Sequence, residues 1–191
     1  MASITILGNG NMGQAIAGLG AKAGYDVQVL DVENAGTPAT GDIVVLAVPH
    51  PAVAEIISTR GSELAGKVVV DITNPVNFET FDSLVVPADS SKAAEIAAAL
   101  PDSKVVKAFN TTFAGTLAAG TVGGETTTVI VAGDDAEAKD AVKSFVTSAG
   151  LKVKDAGALT RARELEALGF LQIGLAASEQ VAWTGGFAVV A

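Results

Sequence analysis

The segment that most limits how this chain can fold lies at its start, where Ser3-Ile4-Thr5-Ile6-Leu7 runs straight into Gly8-Asn9-Gly10-Asn11-Met12-Gly13. The short β-branched run predicts a strand. Met12, Ile16, Leu19 and Ala23 then recur at three- and four-residue spacing, which predicts a helix that opens inside the glycine run and stops at Gly24. In such a strand-turn-helix, Gly8 permits the tight turn, Gly10 leaves bare backbone for close approach, and Gly13 lets the helix pack on the strand. The first N–H groups of the helix add the positive end of its dipole. The pattern predicts a cradle for the pyrophosphate of a dinucleotide, against the alternative of a glycine turn that serves packing only.

Further along, short apolar runs alternate with Ala-rich helical stretches. Strands are expected at Val27 to Leu30, Ile43 to Val48, Lys67 to Ile72, Lys104 to Phe109, Thr127 to Ala132 and Lys152 to Lys154, and helices after Pro51, across Ser90 to Leu100 and from Asp134 to Ser148. Asp134 is expected to cap the last of these, with Glu137 in the first turn and Gly150 closing it in a left-handed conformation. The connection Asp31 to Asp42 is too short for a long helix. This alternation specifies an α/β chain of the doubly wound Rossmann type, a mainly parallel sheet with flanking helices. Residues 1–158 read as one dinucleotide-binding domain. Residues 159–191 read as a short helical C-terminal extension packed on it, with Leu165, Leu168, Leu171 and Leu175 on one face and a small strand over Phe187 to Val190.

Composition limits the partners. With 49% hydrophobic and 17% charged residues the chain can bury a core. No apolar run reaches the ~20 residues of a membrane-spanning helix. The formal charge of -9 opposes nucleic acid and anionic membranes, leaving a small-molecule partner. Absent cysteine and a start without a basic, apolar leader, a cytoplasmic setting is expected. With a single histidine and no cysteine no metal cluster is expected, so any chemistry would come from a cofactor.

Asp31 ends the second strand, 18 residues after Gly13. A carboxylate there accepts hydrogen bonds from an adenosine ribose and repels a 2′-phosphate, which favours NAD over NADP; the alternative is an ordinary turn aspartate. Neither Arg nor Lys occurs from Val32 to Thr40.

Several segments together resemble the F420-dependent NADP reductase family: Gly8 to Gly13, Asp42 to Pro49, Val70 to Pro75, Val106 to Thr111, Val131 to Ala136, and Asp155-Ala156-Gly157 with Arg161, Leu165 and Glu166. The resemblance covers nearly the whole chain. It implies a small Rossmann oxidoreductase that moves hydride between NADP and a deazaflavin, with related domains in metalloreductases acting on flavin. NADP-using members carry Ser or Thr followed by Arg where this chain has Asp31-Val32, so the sequence supports NAD(P) without fixing which. The resemblance further implies that Ala47, Val48, Pro49 and His50 pass along the dinucleotide, that Thr73, Asn74 and Pro75 lie near its nicotinamide half, and that Ala108, Phe109 and Asn110 reach the carboxamide.

In open α/β sheets ligands lie beyond the carboxyl ends of the strands, which directs attention to the same loops. Asn110, Thr111 and Thr112 offer neutral groups to orient a nicotinamide or flavin-like ring, with Phe113 to stack on it; a polar turn beside a core phenylalanine is the alternative. His50 is read either as a ribose or phosphate partner or as a solvated loop residue. Lys107 is read as a strand lysine reaching out to solvent. Trp183 and Phe187 are read as packing of the tail, a pocket wall or a contact in a homodimer formed through Leu165 to Val190.

Hydride transfer needs two rings held in attack geometry more than an ionisable catalyst, so the catalytic residues are left unassigned. The leading expectation is an NAD(P)-dependent oxidoreductase with a flavin-like or F420-like co-substrate. The alternatives are reduction of a small imine or keto acid, and a dinucleotide sensor or electron-transfer subunit without turnover of its own.

Overall fold

The computed structural model describes residues 2–34 and 36–190; Met1, Ala35 and Ala191 of the two expected segments lie outside the described residues. The elements are β1 Ser3–Leu7, α1 Asn11–Lys22, β2 Asp26–Leu30, β3 Ile43–Leu46, α2 Val53–Leu64, β4 Val68–Asp71, α3 Lys92–Ala99, β5 Lys104–Lys107, α4 Ala114–Ala119, β6 Thr121–Val122, β7 Glu125–Thr126, β8 Thr128–Gly133, α5 Ala136–Ser148, β9 Lys152–Asp155 and α6 Ala162–Ala177. Two 3₁₀ turns, His50–Ala52 and Leu159–Arg161, lead into α2 and α6.

A seven-stranded sheet runs in the order β2-β1-β3-β4-β5-β8-β9, parallel throughout except where β8 pairs antiparallel to β5. Period-two side chains divide its two faces. Ile43, Val45 and Val70 point into the core that α1 and α5 cover through Ile16, Leu19, Val142 and Phe145. Val44, Leu46 and Val69 point into the opposite core, covered by α2 and α3 through Val53, Leu64 and Ile96. This is the doubly wound Rossmann architecture. The chain turns outward from β1 to β2 and returns to β3, so the β1/β3 gap is the switch point at which such sheets take ligands.

Several expectations need correction. Asp135, not Asp134, caps α5, its carboxylate accepting from Ala138 N at 2.8 Å; Asp134 instead accepts from Leu159 N at 2.8 Å and fixes the entry to α6. Residues 187–190 form no strand. The leucine face of α6 is not its buried face, since Leu171 is exposed while Leu165, Glu166, Gly169, Gln172 and Ile173 pack inward. At 100° per residue, positions 165, 169, 172 and 176 share a side, and three of them are not leucine. The α4 helix and the β6–β7 hairpin were not anticipated. No helix among the described residues is long and apolar enough to cross a membrane.

Candidate functional site

Gly8 has a φ of 119°, and a Cβ there would overlap the Ala47 carbonyl of the neighbouring strand loop. A Cβ on Gly13 would overlap the Gly8 carbonyl. Packing of the chain on itself accounts for both glycines. It does not account for Gly10, whose φ is an ordinary -76° and whose Cβ would meet nothing within 4 Å. Gly10 is the N-cap of α1, no side chain caps that helix, and its first turn has no acidic residue. The first turn of α1 thus has no side-chain cap, and the space beside Gly10 is open, as an anion-binding helix start requires.

Cavities of about 360 Å³ and about 530 Å³ flank this point, a size suited to small-molecule ligands. Gly8, Asn9 and Gly10 wall the first, and Asn11 and Met12 wall the second, so the Gly10–Asn11 step divides them. Asp31, Val32, Ala47, Val48 and Pro49 complete the first cavity together with the inner face of α2. One Asp31 carboxylate oxygen accepts from Glu33 N at 2.9 Å, which holds the acid at the strand end. Val32 is 92% exposed. Arg60 of α2 also lines this cavity, with Nη1 3.0 Å from both Glu63 Oε2 and the Thr37 carbonyl. Arg60 lies outside the Val32 to Thr40 segment and reaches the cavity only through the packing of α2.

The second cavity draws Asn74, Asn110, Thr112 and Phe113 from the expected loops and adds Phe78, Ile173, Trp183 and Thr184. Thr73, Pro75, Ala108, Phe109 and Thr111 are buried behind it. Phe109 holds a left-handed φ of 61°, a conformation that costs a bulky residue about 1–3 kcal/mol, and its carbonyl accepts from Thr112 N and Oγ1 at 3.2 and 2.7 Å. That kink turns Asn110 and Thr112 toward the cavity at the end of β5.

Asn110 Nδ2 donates to Asn74 Oδ1 at 2.9 Å and to the Leu165 carbonyl at 2.8 Å, while Asn74 Nδ2 donates to the Asn110 carbonyl at 2.8 Å. Two acceptors facing Nδ2 settle the orientation of the amide and leave Oδ1 as an acceptor. Oδ1 of Asn110 is buried without a hydrogen-bond partner among the described residues, as is Thr73 Oγ1. Helix α6 approaches this pair closely enough that a Cβ on Gly169 would collide with Asn74. Phe113 lies 5.0 Å from Trp183, ring centre to ring centre.

Lys107 does not reach solvent. It is fully buried, with Nζ 2.7 Å from Asp71 Oδ2, 2.8 Å from Glu166 Oε1 and 2.6 Å from the Thr73 carbonyl. Glu166 also accepts from Lys92 N and Ala93 N at 2.9 and 3.2 Å, so the second carboxylate is balanced by the start of α3. Burial is the main cause that pushes the Glu166 carboxyl above its usual range.

His50 opens the 3₁₀ turn before α2 and lines neither cavity. Burial, and secondarily Lys92, hold its imidazole below the usual value, with Glu95 opposing.

Three comparisons relate this chain to known proteins. Residues 20–75 match the family described as NADP oxidoreductase, coenzyme F420-dependent. The F420-dependent NADP reductase of Methanocaldococcus jannaschii is 31% identical over 156 residues, which are 80% of this chain and 70% of that protein. The chain belongs to this family of NADP-dependent oxidoreductases. In another relative, metalloreductase STEAP3 of Rattus norvegicus, the similarity is 36% identity over 112 residues, 59% of this chain but 22% of that protein. A crystal structure from Arthrobacter sp. FB24, provisionally named an F420-dependent NADP reductase, superposes with a TM-score of 0.86 at 27% identity, covering 100% of both chains. Family membership fits a site whose one unexplained glycine lies between two ligand-sized cavities.

Proposed function

We propose that this chain binds a nicotinamide dinucleotide across the two cavities and passes hydride between its nicotinamide and a flavin-like ring held in the second. The carrying observation is the Gly10–Asn11 step: an uncapped helix start with open space at Gly10, between a cavity edged by Asp31 and one edged by Asn110. In this reading the pyrophosphate lies on Gly8 to Gly13, the adenosine half against Asp31, Val32 and Ala47 to Pro49, and the nicotinamide half beside Asn74 and Asn110. Within a family named for NADP, Asp31 turns the preference toward NAD by repelling a 2′-phosphate.

Bound there, the dinucleotide supplies the hydride chemistry, and the chain supplies position and dryness. Asn110 Oδ1 accepts from an amide N–H of the ligand and sets the ring's rotation. Phe113, Trp183 and Phe78 provide the apolar walls that exclude water and hold a second ring in near-attack distance. Lys107, Asp71 and Glu166 act from behind, fixing the Thr73 carbonyl and α6 and thereby the Asn74–Asn110 pair.

Stopped-flow loss of reduced-nicotinamide absorbance on mixing with F420, FMN, FAD or riboflavin tests this. Reduction of at least one is expected, and inertness with all of them sinks it. Tight dinucleotide binding by calorimetry without reduction of any acceptor would favour the sensor reading.

A further inference from the structure

The two cavities differ in charge. Asp31, Glu55 and Arg60 line the first. Among the described residues lining the second, none carries a charge: its polar groups are amides and hydroxyls, from Asn11, Asn74, Asn110, Thr112 and Thr184. The segments that build its far wall come from stretches of chain without a single Lys or Arg, residues 68–91, 108–138 and 164–191. The same stretches carry carboxylates, among them Glu79 beside the cavity residue Phe78, and Glu179 just past α6. All 12 basic residues lie elsewhere, in a chain of formal charge -9. A phosphorylated or carboxylated acceptor entering here meets no cationic side chain in the cavity lining, in a chain of net negative charge, whereas an uncharged ring meets aromatic walls and neutral hydrogen-bonding groups.

We infer that the acceptor seated in the second cavity is an uncharged planar ring, of the isoalloxazine or quinone class without phosphate or carboxylate. This rests on the hydride-transfer reading above and narrows its substrate. The acceptor gains a hydride, two electrons and one proton, from the reduced nicotinamide, which is left oxidised. A riboflavin ring stops at its reduced anion, and a quinone takes its second proton from water because no titratable side chain lines the cavity. Specificity then lies in Phe78, Phe113 and Trp183, which recognise the ring face, and in the missing cations, which discriminate against anionic tails.

Trp183 is the sole tryptophan and lines this cavity, so its emission reads binding independently of turnover. The chain with NAD⁺ present is titrated with riboflavin, FMN, F420 and a simple naphthoquinone. Riboflavin is expected to bind about tenfold more tightly than FMN at low ionic strength, the ratio shrinking to about twofold at high salt as the field is screened. The naphthoquinone is expected to quench as well. Glu79→Lys should recover FMN binding and leave riboflavin unchanged.

FMN or F420 binding as well as riboflavin at low salt, or a failure of both uncharged rings to quench, overturns the inference. Parallel turnover assays separate the two claims. If uncharged rings bind best but none is reduced, the hydride-transfer reading fails and the selectivity stands. If an anionic ring is bound best and reduced, the selectivity fails and the hydride-transfer reading stands.

Discussion

Lys107 Nζ stands 2.8 Å from Glu166 Oε1, with both side chains fully buried and 59 positions apart in sequence. With Asp71 they form one cation shared by two carboxylates, which joins the ends of β4 and β5 to α6 behind the Asn74–Asn110 pair. Removing the cation leaves two buried carboxylates with only backbone N–H groups as partners. Lys107→Met is therefore expected to destabilise the fold by about 3–5 kcal/mol, measured by urea unfolding near neutral pH. A loss below about 1 kcal/mol would mean that the cluster is wetter than its burial indicates.

The same cluster predicts a pH dependence. Glu166 is held above its ordinary value of 4.5, first by burial and last by the charge of Asp71, with Lys107 and the Lys92 N–H opposing. The folded state thus binds this proton more tightly than the unfolded state does. Its contribution to stability is full below the unfolded value and is lost as pH rises through the raised folded value. Unfolding curves of Glu166→Gln and the parent between about pH 5 and 8 should show the variant gaining relative to the parent as pH rises. A variant that loses ground over that range would show that the pairing with Lys107 outweighs burial.

The three glycines of the turn separate folding from binding. Gly8→Ala meets both an unfavourable φ and the Ala47 carbonyl, and is expected to cost about 3 kcal/mol or more. Gly10→Ala has an ordinary φ and open space, so the apo protein should unfold within about 1 kcal/mol of the parent. Its dinucleotide affinity by calorimetry should nonetheless fall at least about tenfold, or about 1.4 kcal/mol. Unchanged affinity would remove the pyrophosphate from this turn.

Cofactor choice is expected to turn on the end of β2. Asp31→Ser with Val32→Arg removes a carboxylate from the first cavity and places a guanidinium at its most exposed edge. The ratio of NADP to NAD affinity should rise by about tenfold or more, since a cation–phosphate contact replaces repulsion. An unchanged ratio would leave the discrimination to Arg60 on the facing wall.

His50 is expected to be a bystander. It lines neither cavity, and burial, then Lys92, lowers the imidazole below its usual value. His50→Gln should change dinucleotide affinity less than about twofold, with no new pH dependence above about pH 6.5. A larger change in calorimetric titrations would restore it to the site.

The strands and the glycine turn were legible because their signals are local: a β-branched run, a period of two, and glycines at fixed offsets. Boundaries shifted where a neighbour competed. Adjacent Asp134 and Asp135 are equivalent as caps in sequence, and only the arrival of Leu159 N assigns them different tasks. The β6–β7 hairpin has two-residue strands, too short for any periodicity, although its Gly123-Gly124 turn was a usable sign. Lys107 was misplaced because nothing near it in sequence neutralises it; Asp71 lies 36 residues before it and Glu166 59 after it. Of the loops expected at the site, Asn74, Asn110, Thr112 and Phe113 reach the second cavity, whereas Trp183 and Phe78 arrive from segments without a motif.

Glu166 also sets an order of events. The sheet's central strands and Lys107 leave the ribosome well before α6, so for that interval the growing chain carries a lysine destined for the interior without its second counter-ion. The loops that carry Asn74 and Asn110 cannot be locked until α6 has been made. A folding chain of this kind commits its binding surface late, when the helix that seals it is already in hand.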